Sequence, residues 1–353
     1  MEQTEEAGNP AVGAGPGAIE GAAGPGRPGS GRVAGRHGID AAEETADVIA
    51  RLQQAVGGAL KGKPEVIRLA LTALLARGHL LVEDVPGVGK TTLASALAGA
   101  VGGRFVRIQF TSDMLPSDLI GVSVFDPQAR RFEFRPGPLF ANVVLADEIN
   151  RTTPKTQSAL LEAMSERRIS MDGVTRALPD PFFVVATQNP VEHHGTFPLP
   201  DSQLDRFLLR TGVGYPSAAD ERAILASDHD QHDAPPVSAV TDPEGLARLQ
   251  RAAEQVRTSE LILDYVVAVI RATRRAPGVA IGASPRGSLA LLRASRATAL
   301  LAGRSYVVPD DVKEVAAPVL AHRLVLEGAE DGVDREANEE VIREVLSSVP
   351  VPR

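Results

Sequence analysis

Between about residues 41 and 215, apolar residues recur in two patterns, a helical spacing and short continuous runs, which alternate along the chain. Helical spacing appears in "PEVIRLALTALLARG", where Ile67, Leu71 and Leu74 fall on one face and Pro64 suits the first turn. Short apolar runs lie between such stretches: "HLLVE", "RFVRIQF", "NVVLAD", "PFFVVAT" and "RFLLRTGVG". Strands of this kind that alternate with helices predict an α/β fold, with a mostly parallel sheet covered by helices on both faces.

Two further stretches alternate apolar and polar residues and predict β-hairpins inserted into this core. They are "GVSVFD" with "RFEFR", and "RISMDGVTRAL", which turns at Asp172-Gly173. After Tyr215-Pro216 the remaining stretches have helical patterns, and no strand of comparable strength follows. The pattern therefore predicts an α/β nucleotide-binding domain over residues 41–215 and an all-helical domain over residues 216–353.

The first forty residues have a different composition. They are rich in Gly, Ala and Pro and contain almost no bulky apolar residues. Such a segment cannot bury enough surface to offset the entropy lost on ordering. We expect residues 1–40 to form a disordered tail.

The overall composition narrows the class of protein. The chain has 353 residues, 43% of them hydrophobic, and no run reaches the roughly 18 apolar residues of a membrane span. The N-terminus lacks the apolar stretch of a signal peptide. Cysteine is absent, which excludes disulfides and thiolate metal sites and favours a cytoplasmic location. A net charge of -8, few aromatic residues and no tryptophan argue against nucleic acid as a partner.

A glycine-rich turn, "EDVPGVGKTTLA", lies between the first predicted strand and the next helix. Backbone N–H groups in such a turn attract phosphate, and Gly87 and Gly89 permit the backbone angles that it needs. Lys90 would then reach the phosphates, and Thr91 would ligate Mg²⁺. We assign the following residues to a nucleotide phosphate site: Pro86, Gly87, Val88, Gly89, Lys90, Thr91 and Thr92.

One position departs from the strict phosphate-loop pattern G-x-x-x-x-G-K-[ST]. Asp84 stands where the first glycine is expected. Aspartate can also adopt unusual backbone angles at a strand end. A carboxylate next to phosphate is unexpected, however, so we expect this side chain to point away from the loop. The alternative interpretation is a structural turn with a surface lysine.

Two adjacent acids end the apolar strand in "VVLADEIN". The carboxyl edge of such a sheet is where α/β proteins bind ligands, and adjacent strand residues point to opposite sides. We assign Asp147 to the Mg²⁺ shell and Glu148 to polarising the attacking water. The alternative is a solvated strand end. Asn189 ends another apolar strand and could orient the same water, although Asn before Pro also commonly starts a turn.

Two arginines are candidates for stabilising negative charge on a transferred phosphoryl group. Arg206 precedes a predicted strand, and Arg286 opens a helix of the second domain. The guanidinium group suits this task because it is always ionised and forks onto oxygens. For each residue the alternative is a surface ion pair.

Taken together, these stretches resemble the AAA+ ATPases of the MoxR type. The resemblance covers roughly residues 56 to 325. It is carried by "EDVPGVGKTTLA", "LPSDLIGVSVFDP", "FRPGPLFANVVLADEINRTTPKTQSALLEAMSE", "ATQNPVEHHGTFPLPDSQLDRFLL" and "SPRGSLALLRASRATALLAGRSYVVPDDV". It implies an AAA+ core followed by a helical lid. It also implies a Walker A loop around Lys90, a Walker B pair at Asp147 and Glu148, and sensor 1 at Asn189.

The same resemblance implies that Arg206 is an arginine finger, acting on the nucleotide of a neighbouring subunit, and that Arg286 is sensor 2, reaching from the lid. Such a finger requires a ring of subunits, usually a hexamer, and Arg151 is a further candidate for its interface. The hairpins would face the pore or a partner. The implied ligands are ATP and Mg²⁺. The implied partner is a client protein that is remodelled or matured, often one with a von Willebrand A domain.

Two other functions stay open, a nucleic-acid-stimulated AAA+ motor and a non-hydrolysing, ATP-dependent assembly switch. The acidic balance disfavours the first. Glu148 and Asn189 disfavour the second, because a pure binder does not need residues that position water. His193 and His194 depart from the family pattern, which has a Glu/Gln-type pair there. No further ligands are evident, so a plain loop is favoured over a metal site.

Overall fold

The computed structural model of the protein describes residues 34–189, 195–231, 237–328 and 335–352. His193 and His194, and most of the predicted tail, lie outside these residues. From Ala42 onward the described residues form one compact unit. The first helix begins at Ala34, so the predicted boundary of the tail at residue 40 falls inside a helix.

Strands and helices alternate through the first half of the described chain, as the apolar pattern predicts. The strands are β1 Leu80–Glu83, β2 Phe105–Gln109, β3 Gly121–Asp126, β4 Arg131–Pro136, β5 Val143–Asp147, β6 Arg168–Met171, β7 Val174–Ala177, β8 Phe183–Gln188, β9 Leu209–Thr211, β10 Val279–Ile281 and β11 Val325–Leu326. The helices are α1 Ala34–Ala59, α2 Pro64–Leu75, α3 Lys90–Ala100, α4 Pro116–Ile120, α5 Pro154–Glu166, α6 Asp201–Leu204, α7 Ala218–Gln231, α8 Pro243–Glu254, α9 Glu260–Thr273, α10 Pro285–Leu301, α11 Pro309–Leu320 and α12 Arg335–Ser348.

Five strands form the central sheet in the order β2-β5-β8-β1-β9, and every neighbouring pair is parallel. Strand β1 lies between β8 and β9, with Leu80 opposite both Val185 and Leu209. Because all five strands run the same way, their carboxyl ends meet at one edge and their amino ends at the other. This confirms the predicted α/β fold.

Each face of the sheet packs against its own hydrophobic cluster. Alternate strand residues, such as Leu80 and Val82, join one cluster with α2 and α3, while Leu81 joins a second cluster with α5. Burial on both faces explains why these strands are continuous apolar runs. The first cluster continues without a break into α8–α12, so the helical region shares its core with the α/β region.

The helical region contains two short strands that the sequence pattern does not predict. Strands β10 and β11 pair antiparallel, with Val279 opposite Leu326. They are three and two residues long, too short to produce a periodic signal. The prediction of an all-helical second domain is therefore wrong in this detail. The two predicted hairpins are present as β3–β4 and β6–β7. Among the described residues, no helix has the length and apolar composition needed to span a bilayer.

A buried histidine ties the amino edge of the sheet to the helix beneath it. His79 precedes β1, and its Nδ1 accepts a hydrogen bond from the N–H of Val184 at 3.0 Å. The other ring nitrogen, Nε2, therefore carries the proton and donates to the carbonyl of Met164 at 3.1 Å. Burial, together with the charge of Arg167, lowers the pKa of His79 from 6.5 to about 4.

The pKa of His79 predicts a loss of stability in mild acid. The folded state keeps this imidazole neutral, whereas the unfolded chain protonates it near pH 6.5, so its contribution is full above pH 6.5 and lost as pH falls to about 4. We expect the free-energy difference between wild type and His79→Asn to shrink by about 3 kcal/mol between pH 7 and pH 4. Urea unfolding at several pH values measures it. Parallel stability curves for the two proteins would contradict this assignment.

Candidate active site

The glycine-rich turn connects β1 to α3 at the carboxyl edge of the sheet. Gly87 and Gly89 have φ angles of 86° and 99°, in the region that disfavours side chains. No atom of the described residues lies within 4 Å of the place where a Cβ on Gly87 would stand, so the turn is open on this side. Helix α3 begins directly at Lys90, which leaves its first N–H groups free of intrahelical partners. The turn therefore has the geometry of a phosphate cradle.

Lys90 and the two threonines after it stand at the mouth of this cradle. The Nζ of Lys90 donates to the main-chain carbonyl of Asp84 at 2.9 Å. Thr91 and Thr92 are exposed on the first turn of α3. A lysine next to open N–H groups supplies positive charge where the outer phosphates of a nucleotide would lie.

Asp84 points away from the phosphate cradle, as expected from the sequence. Its Oδ2 accepts hydrogen bonds from the N–H groups of Val213 at 2.7 Å and Gly214 at 2.5 Å. Its Oδ1 accepts from the N–H of Val85 at 2.9 Å. Backbone groups of its own loop and of the segment after β9 thus satisfy the carboxylate.

Asp147 ends β5 and is nearly buried. Its Oδ1 accepts a hydrogen bond from the Thr187 hydroxyl at 2.6 Å, and its Oδ2 accepts one from Nη2 of Arg107 at 2.6 Å. Thr187 lies on β8 and Arg107 on β2, the two strands that flank β5. The neighbours of β5 in the sheet therefore fix this carboxylate from both sides.

Glu148 leaves the strand in a left-handed conformation, with φ 57° and ψ 51°. Its N–H donates to the Thr187 hydroxyl oxygen at 2.8 Å. Its Oε2 accepts from Nε2 of Gln109 at 2.7 Å and from Nη1 of Arg151 at 2.9 Å. The turn separates the two acids, so that Asp147 points to the flanking strands while Glu148 is held by side chains at the sheet edge.

Asn189 follows β8 directly and is buried, with its carbonyl near Nδ2 of Asn150 at 3.4 Å. Strand β8 lies between β5 and β1. Asn189 is therefore placed between the acidic pair at the end of β5 and the phosphate cradle at the end of β1. The structure brings these three predicted features together at one edge.

The oxygen donors at this edge fit Mg²⁺. Thr91 supplies a hydroxyl and Asp147 a carboxylate, and Mg²⁺ prefers one or two carboxylates combined with phosphate oxygens and water. Within the described ranges, no group of three or more His, Asp or Glu side chains could hold a metal alone. An ion at this edge would therefore be held jointly by these residues and a nucleotide.

Arg206 and Arg286 lie at the opposite edge of the sheet. Arg206 precedes β9, and its Nη1 donates to the Ser165 hydroxyl oxygen at 3.3 Å. Nη1 of Arg286 is 3.8 Å from Oδ2 of Asp205. Both arginines line a cleft of about 730 Å³ together with His79, which precedes β1. The four residues of β1, at about 3.3 Å each, separate this cleft from the phosphate cradle of the same chain.

Positive charge dominates this amino-edge cleft. Among the described residues that line it, the acids are Asp205 and Glu254. Burial lowers the pKa of Arg167, and the charge of Arg77 lowers it further. The arginines that line the cleft are Arg77, Arg167, Arg206, Arg286, Arg293, Arg296 and Arg323. Such a concentration of charge on an acidic protein is suited to an anion.

A buried arginine shapes the segment that carries Arg206. Nε of Arg323 donates to Oδ1 of Asp205 at 2.8 Å, and its Nη2 donates to the carbonyl of Phe207 at 2.7 Å. These bonds hold both chain neighbours of Arg206, which leaves the Arg206 side chain exposed at the cleft. Asp205 also faces Arg286, so this acid lies between the two candidate arginines.

Several of these residues were missed by reasoning from the sequence. Gln109 and Thr187 lie on strands that flank β5, and their polar side chains near strand ends were the available signal. Arg107 and Arg323 gave no such signal, since a single arginine in a strand or helix is ordinary. Arg151, predicted for a subunit interface, pairs with Glu148 of its own chain in this structure.

Comparisons with known proteins agree with this geometry. Residues 79–209 match the profile of the ATPase family associated with various cellular activities, and residues 271–345 match that of the AAA lid domain. The chain is 48% identical over 312 residues to the uncharacterized protein YeaC of Bacillus subtilis, covering 88% of this chain and 97% of that protein. It is 45% identical over 303 residues to the chaperone MoxR1 of Mycobacterium tuberculosis, covering 83% and 79%.

A solved structure gives the same result. The crystal structure of a protein from Cytophaga hutchinsonii superimposes with a TM-score of 0.82 at 33% identity, covering 90% of this chain and 99% of that one. The parallel sheet, the phosphate loop and the acidic pair define a P-loop AAA+ core followed by a lid. The chain belongs to the MoxR-type AAA+ ATPases, which confirms the resemblance seen in the sequence.

The hydroxyl of Thr187 connects both acids, so its removal should impair turnover without unfolding the protein. It donates to Asp147 and accepts from the N–H of Glu148. Hydrogen bonds to charged groups contribute about 1.5–3 kcal/mol, so we expect ATP turnover by Thr187→Val to fall at least about tenfold.

Steady-state ATPase assays and thermal unfolding measure this effect. Thr72→Val is the matched control, because Thr72 is also fully buried but its hydroxyl has no partner in the described part of the chain. We expect the control to keep wild-type turnover. Equal turnover in the two variants would show that Thr187 does not position the acids.

Proposed function

We propose that this protein hydrolyses ATP with Mg²⁺ in a ring of identical subunits, and that the ring remodels or matures a client protein. The observation that carries the proposal is the separation of the two halves of the site. Lys90, Asp147 and Glu148 lie at the carboxyl edge of the sheet, while Arg206 and Arg286 share a cleft at the amino edge. A complete site therefore needs the amino edge of one subunit against the carboxyl edge of another.

Each residue has a distinct role in this proposal. Lys90 and the open N–H groups of α3 would bind the phosphates, and Thr91 and Asp147 would hold Mg²⁺, which would neutralise phosphate charge. Glu148 polarises the attacking water and Asn189 orients it. Gln109 and Arg151 both bond to Oε2 of Glu148, so these bonds orient the carboxylate and leave its other oxygen, Oε1, to accept a proton from water.

The two arginines would act on the nucleotide of the neighbouring subunit. The guanidinium groups of Arg206 and Arg286 would stabilise the charge that develops on the phosphoryl oxygens. The other arginines of the cleft add to the positive field there. A closed ring satisfies this head-to-tail contact for every subunit, and the proposal is a hexamer.

The client role rests on the relative named chaperone MoxR1 and on an exposed surface of this chain. Phe125 and Phe132 on the β3–β4 hairpin are 50% and 71% exposed, and their rings stack edge to face at 5.4 Å. Exposed aromatic pairs of this kind favour contact with another polypeptide. We propose a client with a von Willebrand A domain, and we place the activity in the cytoplasm.

Mixing experiments test whether the site is shared between subunits. Lys90→Ala removes the phosphate-binding lysine and Arg206→Ala removes the finger, so each variant alone should lose at least about a hundredfold in turnover. In an equimolar mixture, an Arg206→Ala subunit can receive Arg206 from a Lys90→Ala neighbour. About a quarter of wild-type turnover should return if the subunits mix at random.

A second mixture tests where Arg286 acts. If both arginines serve the neighbour's nucleotide, Arg206→Ala mixed with Arg286→Ala should show no recovery, because every subunit then lacks one of them. Recovery would place Arg286 on the nucleotide of its own chain. Arg343→Ala, an exposed arginine on α12, is the control and should keep wild-type turnover. No recovery in the first mixture, with subunit exchange verified by sizing, would overturn the shared site.

A further inference from the structure

The segment that leaves the central sheet is held by the first residue of the phosphate loop. This segment, residues 212–217, joins β9 to α7 and is called the connector here. Both oxygens of the Asp84 carboxylate accept backbone N–H groups, two of them from Val213 and Gly214 in the connector. A glycine at position 84, as in the strict phosphate-loop pattern, would make neither of these two bonds.

The same residue also holds the lysine of the loop. Nζ of Lys90 donates to the main-chain carbonyl of Asp84 at 2.9 Å. Asp84 therefore contacts the connector through its side chain and the phosphate-binding lysine through its backbone. A change in the position of Lys90 acts on the residue whose carboxylate fixes the connector.

The turn between α1 and α2, residues 60–63, forms a second link between the same two parts. A Cβ on Gly89 would stand 2.8 Å from a methyl group of Leu60, so this side chain packs directly on the loop. At the other end of the turn, Nζ of Lys63 donates to the carbonyl of Tyr215 at 2.7 Å. The turn thus touches both the phosphate loop and the connector.

Apolar packing also holds the connector, because Val213 is buried in the first hydrophobic cluster. Gly214 has a φ of 66° and no side chain that could anchor it. Side chains of α7 from residue 218 to 226 are exposed, apart from the half-buried Asp220. Charge-assisted hydrogen bonds are stronger than neutral ones, so those of Asp84 add a strong polar restraint to this packing.

We propose that Asp84 is a positioning residue that couples the phosphate loop to the connector, so that nucleotide bound at Lys90 changes the restraint on the connector and α7. The inference rests on the proposed function, because it requires nucleotide to bind at this loop. It also gives the aspartate a task that the consensus glycine cannot perform.

Hydrogen–deuterium exchange of the full-length protein, with and without ADP and Mg²⁺, tests this coupling, and calorimetry measures ADP affinity in parallel. In wild type, ADP should change the exchange of residues 212–217. Asp84→Gly restores the strict loop pattern and should still bind ADP, but by linkage its affinity should differ from wild type by the coupling that is lost, about fivefold or more, so exchange is compared at saturating ADP. Connector exchange without ADP should rise about tenfold, because charged hydrogen bonds are lost, and ADP should no longer change it.

Two further variants control for side effects. Asp84→Asn keeps one acceptor oxygen and should restore part of the protection and of the ADP response, and it carries the test if Asp84→Gly fails to fold. Asp126→Gly is the matched control, since Asp126 accepts the N–H groups of Gln128 and Ala129 in the β3–β4 turn. This variant also replaces by glycine an aspartate that accepts two backbone N–H groups, but at a site away from the connector. It should leave the hydrogen exchange of the connector and its response to ADP as in wild type.

The possible failures are distinguishable. If wild type does not bind ADP, the proposed function falls and the coupling falls with it. If wild type binds ADP but its connector exchange does not respond, or if Asp84→Gly responds as wild type does, the coupling is overturned while the proposed function stands.

Discussion

The parallel direction of all five central strands is the constraint on which the rest of this structure depends. It collects everything that follows a strand at one edge and everything that precedes a strand at the other. The phosphate loop, the acidic pair and Asn189 each follow a strand, so they meet although they are distant in sequence. Arg206 precedes a strand, so the same constraint keeps it away from them.

This division gives each subunit two incomplete surfaces of different character. The carboxyl edge offers open N–H groups and oxygen ligands for a phosphorylated ligand and its metal. The amino edge offers an arginine-lined cleft in which the acid Asp205 pairs with Arg323 and faces Arg286. The chain as a whole is acidic, with a net charge of -8. The positive charge of this cleft therefore comes from where the fold places its arginines, not from the overall composition. Such complementary edges favour head-to-tail association.

The polar residues around the site hold one another in position through hydrogen bonds. Thr187 bonds to one acid and to the backbone of the next, and Gln109 holds the second acid. The Asp84 carboxylate connects the phosphate loop to the connector through hydrogen bonds from two backbone N–H groups. Each of these bonds joins residues at least 39 positions apart in the sequence. A substitution of Thr187, Gln109 or Asp84 would alter the site without removing a residue assigned to bind nucleotide.

Much of the fold was predictable from two sequence patterns. Strands buried on both faces of the sheet are continuous apolar runs, and helices have apolar residues at helical spacing. The loop around Lys90 and the acids at 147 and 148 were predictable because their chemistry requires local spacing. Strands β10 and β11 were not, since so few residues carry no period.

The sequence by itself therefore determined the α/β core, the helical region after it, and which residue types could bind phosphate and metal. Only the tertiary structure decided the partners of those residues, because they are contacts between strands that are remote in sequence. It oriented the Asp84 carboxylate toward Val213 and Gly214, and it placed Arg286 beside Arg206 at the edge opposite Lys90. Local spacing cannot encode such contacts, because they depend on the order of the strands in the sheet.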